Sequence, residues 1–337
     1  MLRKGEGRTM PWVVRDAIDD INRAVGRRWQ GMDRLLPGQA DLPEGCAAPL
    51  VAGGANGRPA GLGVCRHQFV PADTLNQTWG TADRFSLTLR LRGPDTSAAL
   101  DELLGQWRDH LAGLPEAAVA DTAAMITWPA RDVSGVNALL RRGMQALTVV
   151  AVRAAETAVS GGPAGAPDGK VTSAGLVIRE AGPPDLDAVT EFEMGVIRFD
   201  AQFGAAIIRP ATEALVRAET QAALTARPAW AWLAERDGRP VGLVHVQPPQ
   251  HSSWIAGMTA PGVTVYLQTM FVRPGERGSG VGAALVRYVH GVLDARGIQT
   301  TLLHYALMNP LSAPFWNRMG YRPLWTGWEV RPASSMR

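Results

Sequence analysis

A glycine-rich loop between a strand and a helix is the clearest candidate for chemistry in this sequence. It lies in MFVRPGERGSGVGAALVRYVHGVLDARG, residues 270–297, where an apolar strand pattern ends at Pro274 and an amphipathic helix pattern follows. Such a junction brings unpaired backbone N–H groups and the positive end of a helix dipole to one point, which suits a pyrophosphate. Glycines let the backbone approach the phosphates, and polar side chains add donors. The residues concerned are Arg277, Gly278, Ser279, Gly280 and Gly282.

Two well-known phosphate-binding loops do not fit these residues. A Walker A loop ends in Gly-Lys-Ser/Thr, whereas Gly282 is followed by Ala283 and Ala284. A Rossmann loop lies in the first strand-helix turn of its domain and has an acidic residue about 20 positions later. The present loop comes late in its domain. Both alternatives are therefore disfavoured.

The elements that must position this loop follow a mixed α/β pattern. Turn residues separate alternating apolar runs from longer amphipathic runs. We predict strands at 176–181, 231–235, 239–246, 265–272 and 300–307, and helices at 183–199, 211–226, 280–295 and 312–319, with a last strand after them.

The chain also repeats itself. Three segments of the first half recur in the same order in the second half, at offsets of 181, 185 and 177 residues: GRPAGLGV from Gly57 with GRPVGLVHV from Gly238, RGPDTSAAL from Arg92 with RGSGVGAAL from Arg277, and NALLRRG from Asn137 with PFWNRMG from Pro314. A stretch rich in Gly, Pro, Ala and Ser lies between the halves and is typical of a linker. We predict domains at 1–160 and 175–337, joined by a linker at 161–174.

Composition limits the function classes. The apolar fraction of 46% and charged fraction of 19% are typical of a globular protein, and the net charge of +3 comes without a dense basic run. Nucleic acid is therefore not an expected partner. Cys46 and Cys65 are the only cysteines and lack the spacing of a zinc site. No apolar run approaches the ~20 residues of a spanning helix, and no signal peptide precedes Asp16. We expect a cytoplasmic protein with no membrane contact and no metal.

Two motifs together resemble a known family. Residues 277–282 match the pattern R/Q-x-x-G-x-G/A, preceded by Val272-Arg273-Pro274 at a strand end. Downstream, Asn309, Ser312, Phe315, Trp316, Gly320 and Tyr321 follow the spacing N-x-x-A-x-x-L-Y-x-x-x-G-F. In this order and separation, the motifs resemble those of the GNAT superfamily of N-acetyltransferases.

The resemblance implies both a fold and a cofactor. The fold is of the α/β (α+β) class, with two tandem GNAT-like domains, each a mixed, mostly antiparallel sheet that splays in a V and is flanked by helices. Acetyl-CoA is the implied acyl donor, and no metal is required. The implied cofactor-binding residues are Met270, Phe271, Val272, Arg277, Gly278, Ser279, Gly280, Val281, Gly282, Asn309, Ser312, Phe315 and Trp316.

The sequence departs from the family at the positions of proton transfer. Trp316 stands where the family carries a tyrosine acid, and Gln268 stands where it often carries a glutamate base. An indole cannot act as an acid at neutral pH, and an amide cannot accept the proton. Candidate catalytic residues are therefore His304, Tyr305, Tyr321 and Glu193. His304 is the first choice as base, because an ordinary imidazole titrates near neutrality, and His245 and Glu193 follow it. Either Tyr305 or Tyr321 serves as the acid, or the CoA thiolate leaves without an acid and is protonated by water. Candidate acceptor contacts are Asp200, Phe203, His245, Trp254 and Gln268.

The first copy lacks the features of the loop. Gly280 and Gly282 correspond to Asp95 and Ser97, Pro94 removes a backbone donor, and Asn309 corresponds to Asp132. A carboxylate repels a pyrophosphate. We predict that this half binds no CoA and has a structural role.

The leading hypothesis is transfer of an acetyl group to a primary amine of a small molecule, by direct attack within a ternary complex. Acetylation of a protein or peptide N-terminus is an alternative with the same fold. A non-catalytic acyl-CoA-binding module is a third, because the usual catalytic Tyr and Glu are missing. A monomer or a homodimer is expected.

Overall fold

The computed structural model describes residues 12–39, 42, 49–54, 58–93, 96–155, 171–172 and 175–337. Cys46, Pro94, Asp95 and most of the linker at 161–174 lie outside these ranges. The helices are α1 (Trp12–Met32), α2 (Ser97–Ala112), α3 (Val136–Arg141), α4 (Leu186–Ala201), α5 (Thr212–Thr225), α6 (Ser253–Ala256), α7 (Val281–Ala295) and α8 (Ser312–Arg318). The strands are β1 (Leu50–Ala52), β2 (Gly61–Phe69), β3 (Asp83–Leu91), β4 (Thr122–Pro129), β5 (Gln145–Ala154), β6 (Val171–Thr172), β7 (Leu176–Glu180), β8 (Ala231–Arg236), β9 (Arg239–Gln247), β10 (Thr264–Val272), β11 (Thr300–Ala306) and β12 (Arg322–Val330).

All of these strands form one sheet of 12 strands, in the order β1-β2-β3-β4-β12-β5-β11-β10-β9-β8-β7-β6. Neighbouring strands are antiparallel except for the pairs β3 with β4 and β10 with β11, which are parallel. The mixed, mostly antiparallel sheet with flanking helices is as the sequence predicts. The second-half helices and strands also lie close to their predicted bounds, because their apolar periodicity is strong.

The two halves exchange their last strands at the centre of this sheet. β5 closes the first half in sequence, yet it pairs with β11 of the second half. β12 closes the second half, yet it pairs with β4 of the first. The two exchanged strands also pair with each other, antiparallel. The repeat predicts a separate sheet in each half, whereas the structure joins them into one.

The order of elements repeats between the halves. Apart from α6, which lies between β9 and β10, the run β2, β3, α2, β4, α3, β5 has the same order as β9, β10, α7, β11, α8, β12. The three matching sequence segments fall on equivalent elements of the two runs. Gly93 and Gly278 match at an offset of 185 and share a positive φ, 102° and 79°. Gly143 and Gly320 match at 177, with φ of 77° and 84°. Backbone turns that favour glycine are therefore repeated as well.

The sheet carries helices on both faces near the glycine loop. Neighbouring residues of one strand point to opposite faces. On β9, Leu243 packs in a cluster with Val189 and Phe192 of α4, whereas Val244 packs in a cluster with Leu285 of α7. We call these the α4 face and the α7 face. Within the described part of the chain, no helix is both long and apolar enough to cross a lipid bilayer.

Candidate active site

The parallel strands β10 and β11 separate at the middle of β10. They are paired from Thr264 with Thr300 to Tyr266 with Leu302, and no further. Beyond this point β10 pairs only with β9, which it follows to Val272 across a bulge near Gln268. We call the opening between the two strands the splay. One edge of β10 therefore keeps free backbone groups, which can pair with an extended ligand.

A cavity of about 1040 Å³ occupies the splay and reaches both faces of the sheet. On the α7 face it is bounded by the glycine loop, by α7 and by α8. On the α4 face it is bounded by α4, α5 and α6 and, further away, by strands of the first half. One continuous space thus connects the glycine loop with the far side of the sheet.

The glycine loop ends in a helix N-terminus that faces the cavity. Gly280 is the N-cap residue of α7 and has φ of 88°, and Gly278 has φ of 79°. A side chain at either position would be strained. Gly282 is small for a different reason: a Cβ there would lie 2.7 Å from Cε of Met270. The first N–H groups of α7 have no partner within the helix, so the site suits an anion.

Arg277 is held in place by contacts that leave its charge without a counter-ion. Its Nε donates to the carbonyl of Val272 at 3.1 Å. Its guanidinium carbon lies 5.5 Å from the centre of the Phe199 ring and 5.8 Å from that of Phe271. Arg277 forms no ion pair with the acidic side chains of the described residues. A phosphate group in the cavity can supply the missing negative charge.

Most of the cofactor-binding residues implied by the resemblance meet around this cavity. The lining includes Met270, Phe271, Val272, Arg277, Gly278, Gly280, Gly282, Asn309, Ser312, Phe315 and Trp316. Ser279 and Val281 do not line it: the Ser279 hydroxyl donates to the carbonyl of Glu276, and Val281 packs into the core beneath α7. The residues present therefore fit the diphosphate and the extended arm of acetyl-CoA. No group of three or more His, Cys, Asp and Glu side chains in the described ranges could hold a metal ion.

A carboxylate from α4 lies on the cavity wall beside the second motif. Nδ2 of Asn309 donates to Oδ1 of Asp200 at 3.4 Å, while Oδ1 of Asn309 accepts from the backbone N–H of Leu311. Burial raises the pKa of Asp200 to about 6, although the hydrogen bond from Asn309 opposes the shift. At neutral pH this carboxylate is ionised, and it has no cationic partner among the residues that the structure describes.

Three aromatic side chains group at the point where the strands separate. The Tyr266 hydroxyl lies 3.1 Å from Nδ1 of His304, and the Trp254 ring stacks parallel to the His304 ring at 6.2 Å. Desolvation between the cavity walls raises the pKa of Tyr266 and lowers that of His304 to about 4, although the His304 side chain is open to the cavity. The tyrosine therefore keeps its proton, and we assign it as the donor to Nδ1. His304 is then neutral at pH 7, and its Nδ1 is occupied.

A short chain of amides continues from this aromatic group. Nε1 of Trp254 donates to Oε1 of Gln247, and Nε2 of Gln247 donates to Oε1 of Gln268, both at 2.9 Å. Trp254, Gln247 and Gln268 all line the cavity. Phe203 does not: it packs against Phe199 at 5.5 Å.

The two tyrosines suggested for the role of acid differ in placement. Tyr305 lines the cavity, burial raises its pKa, and its hydroxyl has no hydrogen-bond partner in the described part of the chain. Tyr321 is buried beneath α7, where its hydroxyl lies 3.1 Å from Nε2 of His290. It does not line the cavity, because the Trp316 ring packs against it at 5.0 Å. Of these two tyrosines, Tyr305 is the one that can contact a ligand in the cavity.

Glu193 and His245 form a buried pair outside the cavity lining. Nδ1 of His245 and Oε1 of Glu193 are 2.7 Å apart, and the Thr220 hydroxyl donates to the other carboxylate oxygen at 2.6 Å. All of the oxygens of Glu193 are thus occupied. Neither residue lines the cavity, and their hydrogen bonds join α4 and α5 to β9.

Several lining residues escaped the sequence analysis. Tyr266 and Gln247 could have been suspected, because they are polar-tipped side chains on the strands beside the glycine loop. Glu219 of α5 gives no such signal. A further group comes from the first half: Leu75, Asn76, Trp79, Arg84, Met125, Thr127, Leu147 and Thr148. Nothing local in the sequence connects these residues with the loop.

In the first half, a side chain from α1 occupies the place that corresponds to the cofactor loop. Thr96 is the N-cap residue of α2, as Gly280 is of α7. Nη2 of Arg28 lies 3.3 Å from the Thr96 hydroxyl and 2.6 Å from Oδ2 of Asp132. Asp132 is the counterpart of Asn309, and its other oxygen accepts from Ser134 at 2.6 Å. This ion pair lies at the helix N-terminus that corresponds to the start of α7, and it supports the prediction that the first half binds no CoA.

Removing the carboxylate of this pair will destabilise the fold strongly. In Asp132→Ala the Arg28 guanidinium stays buried without its partner, which costs about 3 kcal/mol of unfolding free energy. Urea unfolding followed by circular dichroism measures the change. The control is Asp109→Ala, which breaks an exposed pair with Arg108 and costs less than about 1 kcal/mol. Equal effects of the two variants would show that the Arg28 pair contributes little.

Comparisons with known proteins agree with this geometry. The chain matches the model of the acetyltransferase (GNAT) family over residues 203–321, which include β8 to β11, α7 and the glycine loop. A GCN5-related N-acetyltransferase from Sphaerobacter thermophilus has a similar structure, with a TM-score of 0.55, 17% identity and coverage of 94% of this chain and 92% of that one. For one from Kribbella flavida, the TM-score is 0.42 and the identity 15%, with coverage of 91% of this chain and 95% of that one.

The Sphaerobacter protein is similar over nearly its whole length, so its likeness concerns the fold of both halves. A search of curated protein sequences found no match to this chain. The family assignment rests instead on the match to the family model, which covers β10, the glycine loop and α7 beside the cavity. This chain therefore carries a domain of the GNAT acetyltransferase family at residues 203–321.

Proposed function

We propose that the protein transfers an acetyl group from acetyl-CoA to a primary amine of a small molecule, by direct attack while both substrates are bound. The observation that carries the proposal is the continuous cavity through the splay. It joins an anion-binding loop on the α7 face to a wall with an unpaired carboxylate, Asp200, on the α4 face. Two substrates that enter from opposite faces would meet between β10 and β11.

The donor side follows from the loop. Backbone N–H groups at the start of α7, together with Arg277, would hold the diphosphate, and the free edge of β10 would pair with the extended arm. Acetyl-CoA supplies the acetyl group and a thiolate leaving group. Asn309, fixed by its contacts with Leu311 and Asp200, lines the same cavity as the loop.

Asp200 is a better candidate for the general base than His304. A base must be unprotonated at the working pH and must still hold a proton well. Asp200, with a pKa of about 6, meets both conditions, whereas His304, at about 4, is a weak base whose Nδ1 is already bonded to Tyr266. The carboxylate would first attract the ammonium form of the acceptor and then take its proton, directly or through water.

Tyr305 is the group that can return a proton to the leaving sulfur. It lines the cavity, and its raised pKa keeps the hydroxyl protonated. It lies on β11, the strand that borders the splay. We assign to it the role of the family's tyrosine, whose position Trp316 occupies in this sequence. Asp200 and Tyr305 argue against a purely non-catalytic module. Among the described residues, the Asp200 carboxylate has no cationic partner and the Tyr305 hydroxyl has no hydrogen-bond partner, and both side chains line the cavity.

The position of the first half on the acceptor side favours a small molecule over a protein terminus. Residues of the first half line the cavity beyond the α4 face, including Trp79 and Met125. A polypeptide would need an open groove at this place. The first half would thus act as the wall of the acceptor site.

An acetyl-transfer assay tests the proposal. Purified protein is incubated with acetyl-CoA and a panel of small amines, with tripeptides of free N-terminus as a second panel. Release of free thiol gives the rate, and mass spectrometry identifies the acetylated product. Turnover with small amines supports the proposal. Turnover with peptides only would favour the alternative, and tight acetyl-CoA binding without turnover would indicate a binding module.

The rate will depend on pH through Asp200. Below pH 6 its carboxylate is protonated and cannot take the amine proton, so kcat/KM should rise tenfold per pH unit towards a plateau above about pH 6. Asp200→Asn should lower kcat/KM about 100-fold and remove this step. Acceptors that differ in amine pKa separate the titration of Asp200 from that of the acceptor. The rise of kcat/KM near pH 6 must stay at the same pH for every acceptor, whereas a rise caused by the acceptor's own amine must move with the pKa of that amine. A rise that moves with every acceptor would exclude Asp200.

A further inference from the structure

The far end of the cavity, beyond the α4 face, is built by the first half and by the strand it receives. Asn76 and Trp79 lie between β2 and β3, Arg84 lies on β3, and Glu329 lies on β12. None of these residues can reach the donor loop across the sheet. Their chemistry therefore concerns what the acceptor carries at its other end.

Arg84 brings an unpaired cation to this end. Its three nitrogens donate to the carbonyl of Thr81 and to the carbonyl and side-chain oxygens of Asn76, at 2.7 to 3.2 Å. It forms no ion pair with any carboxylate in the part of the chain that the structure describes. The side chain is only partly exposed, and burial lowers its pKa. A guanidinium in such a place ordinarily has an anion beside it.

The carboxylates nearest to Arg84 are already in use. Both oxygens of Asp121 accept from Arg209, at 3.0 and 3.1 Å. Glu329 forms an ion pair with Arg331 at 2.5 Å. Arg84, Arg209 and Arg331 together carry one positive charge more than Asp121 and Glu329, whose charges also act on Arg84, so one positive charge is left over. The opposite arrangement holds beside the splay, where the carboxylate of Asp200 is left without a cation.

We propose that the acceptor is a zwitterion, whose amine binds beside Asp200 and whose oxyanion group, a carboxylate or a phosphate, binds Arg84. Each end of such a molecule supplies the charge that one end of the cavity lacks. The inference rests on the proposed function for the amine end. It adds the chemical class of the acceptor and gives the first half a direct part in selecting it.

Matched acceptors test this directly. One series consists of ω-amino acids of increasing chain length, a second of alkylamines of the same lengths, and a third of aminoalkyl phosphates. Because the two charged groups of the protein are fixed, kcat/KM should peak at one length in a zwitterionic series and show no such peak for the alkylamines. The series with the higher kcat/KM, either the ω-amino acids or the aminoalkyl phosphates, identifies the oxyanion.

Variants then assign the effect to Arg84. In Arg84→Gln, kcat/KM should fall about 10- to 100-fold for the preferred zwitterion, through KM, and less than about threefold for the alkylamine. Arg84→Lys should restore part of the loss. The control is Arg66→Gln on β2, an exposed arginine outside the cavity, which should change neither. Equal losses for zwitterion and alkylamine would show that Arg84 only supports the loop through Asn76 and Thr81, and would overturn the inference.

A binding measurement separates this inference from the proposed function. If the wild type acetylates no amine of any series, the proposed function fails. Calorimetric titration of the full-length protein with the ω-amino acids and aminoalkyl phosphates then decides the rest. Binding to the wild type but not to Arg84→Gln would still support the oxyanion site, and absence of binding to both would refute it.

Discussion

Replacing Gly280 with aspartate will lower the affinity for acetyl-CoA by about 100-fold or more. The backbone at this position has φ of 88°, which costs a residue with a side chain about 1 kcal/mol, so the free loop of the variant relaxes and must return to this conformation on binding. The carboxylate would also stand at the N-terminus of α7, where the diphosphate is expected, and like charges at about 4 Å repel by about 1 to 4 kcal/mol. A combined loss of about 3 kcal/mol corresponds to this factor.

Calorimetric titration with acetyl-CoA measures the change. The wild type should bind one molecule per chain, because the first half has Arg28 in the corresponding place. Gly291→Asp is the matched control: it puts the same charge on an exposed position of the same helix, where nothing lies near the new side chain. Equal affinity of Gly280→Asp and the control would contradict the proposed diphosphate site. Two molecules bound per chain would contradict the prediction for the first half.

The second half alone, residues 175–337, will not fold into a stable monomer. Without β5, the strand β11 loses its antiparallel partner, and β12 loses both β4 and β5. The core also loses Val149, Val150, Ala151 and Val152, which are nearly fully buried. Burial of each of the three valines contributes about 1.5 to 3 kcal/mol, so the deficit approaches the whole stability of a typical domain.

Expression of the isolated half, followed by size-exclusion chromatography and circular dichroism, tests this expectation. We expect aggregation, because unpaired strand edges associate. Co-expression with residues 1–174 is the control and should restore a soluble complex, since it returns all the missing strands. A monomeric fragment with a cooperative thermal transition like that of the full chain would show that the exchanged strands are not required.

Much of the donor site was open to prediction, because its signals are local. The strand ending at Val272, the glycines of the loop and the apolar periodicity of α7 stand together within residues 270–297. Such a run fixes a strand, a turn and a helix N-terminus by itself. The spacing from Asn309 to Tyr321 added the second motif, and most of the residues selected in this way line the cavity.

The proton-transfer groups were harder to select, because their behaviour depends on surroundings. His304 has the residue type of a base, but enclosure of the cavity and the Tyr266 hydroxyl change its properties. Asp200 has the residue type of a surface carboxylate, but burial raises its pKa towards neutrality. Neither change can be derived from neighbouring residues in the sequence, since desolvation is set by the whole fold.

The sequence by itself determined the order of elements, the repeat and the glycine loop before α7, because each depends on residues close together in the chain. Only the tertiary structure decided which half supplies each strand. β5 and β12 have similar patterns and equivalent positions in the repeat, so local preference does not distinguish pairing within a half from exchange between halves. The same holds for Arg28 and Arg84: their roles arise from contacts across long stretches of chain, which packing alone brings together.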